Sequence, residues 1–229
     1  MGIARDLYDA HGNDLFRVSA PLGSSAVELA LFHKIGFQDP VVYGHLADTL
    51  NGKIHILLYV VNDPESPRFD VDHLPDGTPT MFGTAIRNLE AEEAAMDAGL
   101  APGQIRPGLR VLADAIQAFE GFAAGLSQDL YFIEPLYYHN AVLFEKYGFN
   151  YQIGRRKMEE IDAGFQEGGR MIARLDGSTP FRRPGSEGTI RSRSWAIHDG
   201  ILGETFTGIT MYKDIGRTSG IRTTAETPY

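Results

Sequence analysis

The sequence predicts an α/β fold of the α+β kind: a mixed, mostly antiparallel central sheet flanked by helices, with a C-terminal extension. Three observations carry that expectation. Leu143-Phe144-Glu145-Lys146-Tyr147-Gly148-Phe149 reads as a helix end, with Gly148 stopping the helix and Phe149 opening a strand. The apolar run Leu130-Tyr131-Phe132-Ile133 is short enough to be a buried strand. Before it, Leu109, Leu112, Ile116, Phe119 and Phe122 share one broad helical face after Pro107-Gly108, and proline suits a first helical turn because its missing amide would be unpaired anyway.

The other elements follow in order. Leu15–Val18 reads as a first strand. Ser25 and Glu28 have capping-box spacing, and Val27, Leu31 and Ile35 recur at helical intervals, so a helix is expected over about 25–35, ended by Gly36. A second helix is expected over Val42–Leu50, and Asn51-Gly52 turns the chain into a strand at Lys53–Val61. Strands are expected at Arg68–Asp72 and Thr80–Ile86. A helix is expected over Leu89–Leu100, where Glu90, Glu92, Glu93 and the alanines have high helix propensity. The long helix runs from Pro107 to about Ala124, and the one ending at Gly148 begins near Asn140. Beyond Phe149 the chain is richer in Gly, Pro, Ser and Arg, with strands expected at Arg193–Ile197 and Thr205–Tyr212. The expected division is residues 1–158 as the main domain and 159–229 as an extension or arm.

With 229 residues, of which 43% are hydrophobic, the chain can bury a full core. A net charge of −9 argues against general nucleic-acid binding. The absence of cysteine removes disulfides, thiolate nucleophiles and Cys-ligated zinc. Met1–Asp9 carries Arg5, Asp6 and Asp9 and no apolar run, so no signal peptide is read. Ile56–Val61, the longest apolar run, is too short to cross a bilayer as a helix. The expectation is a cytoplasmic protein with no membrane partner. No G-x-S-x-G elbow, Walker loop or H-E-x-x-H is present. Asp70, Asp72, His73 and Asp76 fit no calcium-loop spacing, and Phe69–Asp72 reads better as a strand with one wet face. His11, His33, His45, His55 and His198 are scattered, so no metal is expected.

The spacing of these elements, together with Ala141, Leu143, Glu145, Lys146, Gly148 and Phe149, resembles the Gcn5-related N-acetyltransferases. That family carries N-x-x-A-x-x-L-Y-E-K-x-G-F after a Gly-rich turn, and here Gly108 and Gly148 stand 40 positions apart. The resemblance is good over about 105–150 and rests on element order alone over 14–104. It implies an acyl-CoA N-acyltransferase fold, acetyl-CoA as co-substrate, and transfer to a small-molecule amine or peptide acceptor. In the family the Gly-rich turn offers helix N-terminal amides to the coenzyme pyrophosphate. That role falls on Arg106, Gly108, Leu109 and Arg110.

Several positions depart from the pattern. Ile105 stands where the family has Arg or Gln, Pro107 removes an amide, Arg110 replaces a small residue, and Phe144 replaces the tyrosine that protonates the leaving thiolate. Gly103, Pro107 and Gly108 can equally be read as an ordinary loop-to-helix turn. The acid would then come from Tyr138 or Tyr147, with Tyr137 adjacent, and the base from Glu134 or His139. Tyr137-Tyr138-His139 can also be read as a roof over the core. The competing function is a non-catalytic relative that binds a small ligand or a protein partner. The basic stretch at 182–222 holds seven Lys or Arg against four acids. It reads as a solvated arm, a dimer contact that covers a sheet edge, or a grip on an anion.

Overall fold

The computed structural model describes residues 7–224 and 227–229. Among them are seven strands and five α-helices, forming a mixed, mostly antiparallel α+β structure. The N-terminal stretch read for a leader lies largely outside the described residues. The chain forms two compact units that interleave along the sequence.

The first unit comprises Met1–Pro67, Arg106–Glu134 and Asp214–Gly216. Strands β1 (Phe16–Ser19), β2 (Ala26–Leu31), β3 (Val42–Asp48) and β4 (Ile54–Val61) form an antiparallel meander. Strand β5 (Leu130–Ile133) joins β4 in parallel, pairing His55 with Phe132 and Ile56 with Ile133. Helix α2 (Leu112–Gly125) precedes β5 and sets Phe119 edge-on against Tyr131, with ring centroids 4.8 Å apart.

Strand β4 carries a bulge. His45 faces Leu58 whereas Leu46 faces Ile56, leaving Leu57 as the extra residue. Such an insertion bends its strand and increases local twist. It falls one residue after the last β5 partner, so β4 continues through Val61 with no β5 neighbour.

Two expected helices are strands. The Val27/Leu31/Ile35 spacing is coincidental: β2 is apolar at every position except Glu28, because both its faces are partly covered. Ser24, not Ser25, uses its hydroxyl, accepting from the Ala26 amide in a turn that starts the strand. Val42–Asp48 likewise pairs along its whole length. The long helix starts at Leu112, later than expected, because Arg110 has φ +59° and the Pro107 carbonyl accepts from the Asp63 amide.

The second unit comprises Arg68–Ile105, Pro135–Lys213 and Arg217–Tyr229. It contains α1 (Leu89–Asp97), α3 (Tyr138–Lys146), β6 (Asn150–Ile153), α4 (Arg155–Gly164), α5 (Ile190–His198) and β7 (Thr210–Asp214), with β6 antiparallel to β7. Arg68–Asp72 and Thr80–Ile86 form no strands. They are loops joined by one bridge, His73 to Pro79, and Met81 and Phe82 both have positive φ. Arg193–Ile197 is helical, because Thr189 caps α5 by accepting from the Ser192 amide at 3.1 Å. The expected Thr205–Tyr212 strand begins only at Thr210.

The helix end read at Gly148 has a double-bonded cap. Gly148 has φ +83°, its amide donates to Glu145, and the Phe149 amide donates back to Phe144. This is the Schellman arrangement, completed by contact of the Phe144 and Phe149 rings, 5.2 Å apart. The Glu145 carboxylate is buried and accepts from the Tyr151 hydroxyl at 2.6 Å, the Thr223 amide at 3.1 Å and the Thr223 hydroxyl. Glu145→Ala strands three donors and is expected to cost about 2–4 kcal/mol. Glu145→Gln, which keeps an acceptor oxygen, should cost less; urea denaturation of both proteins measures the difference.

Candidate functional site

In the first unit the turn into α2 gathers Arg106, Gly108, Leu109 and Arg110. The Arg106 guanidinium is held by the Asp39 carboxylate at 2.9 Å and by the Ser66 carbonyl, and lies over the Phe37 ring. Its charge is thus answered inside the fold, and its role is to fix the loop. A Cβ on Gly108 would sit 3.3 Å from the Val61 carbonyl oxygen, so the residue lets the turn pass close to the end of β4. Leu109 and Arg110 are exposed. No side chain caps the first turn of α2, which leaves its amides available to an anion.

Glu134 lies in the same unit, directly after β5. Its amide donates to the Ile56 carbonyl at 3.0 Å and its side chain is exposed. Beyond Ile56, among the described residues, no strand pairs with β4 on the side away from β3. The Asn62 amide points to β3, donating to Val41, so alternation turns the amides of Tyr59 and Val61 the other way.

Tyr138, His139 and Tyr147 belong to the second unit. Tyr138 is fully buried; burial pushes its phenol up to about 12, against the pull of Arg193. His139 Nδ1 lies 2.9 Å from the Ser194 hydroxyl, and its ring stacks on Tyr137. Burial, with the charge of Arg191, draws the imidazole down to about 3, so it stays neutral near physiological pH. Tyr147 is the half-buried C-cap residue of α3. Tyr137 donates to the Phe82 carbonyl and rests where a Cβ on Gly103 would stand 2.4 Å from its ring. The acidic loop is internally answered: Arg68 pairs with both Asp70 and Asp72.

The second unit also joins residues that sequence spacing kept apart. His198 Nε2 lies 3.0 Å from Glu92 Oε1, although 106 positions separate them. Arg87 bonds Glu92 at 2.7 Å and Asp199 at 2.7 Å. The available signal was faint: Glu92 lies one turn before Ala95 on the buried face of α1. Within the stretch read as basic, Arg182 pairs with Asp199, Arg183 with Glu93 and Asp97, and Arg193 with Asp162. Among the described residues no helix is long and apolar enough to cross a membrane.

No protein-family model, curated protein or solved structure matches this chain.

His139 yields a pH dependence with a definite sign. Its folded value lies below the unfolded value near 6.5, so the unfolded chain binds more protons between those limits. Stability is therefore full above about pH 6.5 and falls as pH drops, by about 1–2 kcal/mol between pH 6.5 and 5. Urea midpoints measured across that window should show this loss in the parent protein and much less of it in His139→Gln.

Proposed function

We propose that the protein is an acyl-CoA-dependent N-acyltransferase that moves an acetyl or related acyl group to an amine by direct attack. The observation that carries this reading is that β5 ends at Ile133, opposite Ile56, while its parallel neighbour β4 runs on to Val61. A bulge follows at Leu57, and β4 ends beside the Gly108 turn. In the family that the sequence resembles, the space beside the longer strand holds the pantetheine arm and that turn the pyrophosphate.

The residues present fit such a molecule. The β4 amides at Tyr59 and Val61 would bond the amide groups of the arm, as an added strand would. The uncapped first turn of α2, which follows Gly108 and Leu109, with exposed Arg110 beside it, would hold the diphosphate. Acetyl-CoA supplies the thioester. The amine nitrogen forms the new bond to the acyl carbon, the C–S bond breaks, and the sulfur keeps the electron pair as thiolate. Glu134, exposed at the end of β5, accepts the proton that the amine loses. With no cysteine in the chain, no cysteinyl acyl-enzyme forms. The competing reading, a relative that binds without turnover, is favoured by the burial of Phe144 against Phe149 and by the engagement of Arg106.

Calorimetry with coenzyme A and acetyl-CoA tests the proposal. Micromolar binding that weakens roughly tenfold in Arg110→Glu is expected. No heat at millimolar coenzyme A overturns the enzyme and supports the non-catalytic relative, which has lost the cofactor and binds another small ligand or a protein partner. Binding without acetyl transfer to any of a panel of amines also overturns the enzyme.

A further inference from the structure

The second unit contains a cleft of about 440 Å³, within the range of small-molecule sites. Its walls include Leu136, Tyr138, Ile197 and Phe206, with the Tyr138 and Phe206 rings edge-to-face at 6.3 Å. Among the described residues no lysine or arginine lines it, and the one carboxylate on its walls, Glu204, is held by Lys157 at 3.0 Å. Such a lining sets an aromatic and aliphatic patch beside hydroxyls of Thr84, Ser194 and Thr205, with the Lys157 ammonium engaged by Glu204.

His198 also lines the cleft, and its setting differs from that of the other polar groups there. Its Nε2 faces Glu92 Oε1 at 3.0 Å, and Arg87 engages the other oxygen of that carboxylate. Tyr137 and Trp195 present their rings to the imidazole at 5.6 and 5.9 Å. Gly83 closes the far side, since a Cβ there would stand 2.5 Å from Glu92 Oε1 and 2.8 Å from His198 Nε2. The ring is thus fixed in position. A carboxylate only accepts, so in the neutral ring Nε2 carries the proton and Nδ1 carries a lone pair. Among the described residues Nδ1 makes no hydrogen bond, whereas the Ser194 hydroxyl on the same cleft is taken by His139. A fixed acceptor beside the aromatic and aliphatic wall of Phe206 and Ile197 suits a ligand that presents both a ring and a hydrogen-bond donor.

We propose that this cleft binds a small planar aromatic molecule bearing a hydroxyl or amino group, which donates to His198 Nδ1 while its ring packs against Phe206 and Ile197. The inference stands independently of acyl transfer, because it uses no residue of the α2 turn. Full-length protein with ¹⁵N-labelled histidine is titrated with p-cresol, toluene and benzoate, read by imidazole ¹⁵N shifts and by calorimetry. p-Cresol should bind and move the His198 Nδ1 resonance, toluene should bind roughly tenfold more weakly for want of the hydrogen bond, and benzoate should not bind. His198→Phe should lower p-cresol to the toluene level, and Phe206→Ala should weaken both. Equal affinity for p-cresol and toluene, preferred binding of benzoate, or p-cresol binding that leaves the His198 resonances unmoved overturns the proposal. The comparison of probes on the parent protein needs neither variant to fold.

Discussion

Hydrogen-bond satisfaction along β4 governs the first unit. Ile56 is the last residue of the strand with a β5 partner, yet β4 extends five residues further, held on its other side by β3. Backbone amides left bare in a fold are costly unless water or another partner reaches them. The bulge at Leu57 sits where the ladder fails, and the added bend turns the remaining strand away from the line of β5. The chain then returns through the Arg106–Arg110 turn, anchored by the bond from Asp63 to Pro107 and by the grip of Arg106 on Asp39 and Ser66. Each of those contacts keeps the turn near the end of β4. The absence of a side-chain cap on α2 and the open backbone of β4 are therefore two parts of one arrangement.

A different constraint organises the second unit: charges buried together. Burial alone would lower the Arg87 value, but hydrogen bonds with Glu92 and Asp199 outweigh it and raise the value. Asp199 also accepts from Thr179 and pairs with Arg182, so one carboxylate ties three separate loop positions together. Removing one member of such a set costs more than the set contributes, because the partner charge is left unpaired in low dielectric. That rigidity matters for His198, whose ring is aimed by a carboxylate that cannot rotate away from Arg87.

How much of this the sequence revealed depends on whether the deciding force was local. Gly148 and the helix before it were legible, because a Schellman cap is made by residues within one turn of each other. Leu130–Ile133 was legible as a short run with nothing to dilute it, and Leu89–Asp97 through its helix-favouring composition. Strands β2 and β3 were misread because their identity lies in pairing with each other, which no local period records. Arg193–Ile197 was expected as a strand, yet the Thr189 cap and the burial of Trp195 against Phe181 made it a helix. Glu92 and His198 meet only through the fold, so neither advertised the other.

The segment that first suggested the resemblance is built mainly into packing. Phe144 closes the cap against Phe149, Glu145 serves as acceptor for Tyr151 and Thr223, and Ala141 is fully buried. A tyrosine at position 144 would bring a hydroxyl into that ring contact and require a partner for it there. The motif thus carries information about how the chain turns from helix to strand, and little about proton transfer. In the proposed reading, chemistry falls instead to positions that hold no core contact: Arg110, exposed in a left-handed conformation before α2, and Glu134, exposed where β5 ends. Arg110 accepts a backbone conformation costing about 1 kcal/mol for a residue with a Cβ, and its side chain is exposed, with no burial to offset the strain. An arginine in that place is better explained by what its guanidinium reaches in solution than by anything it contributes to folding.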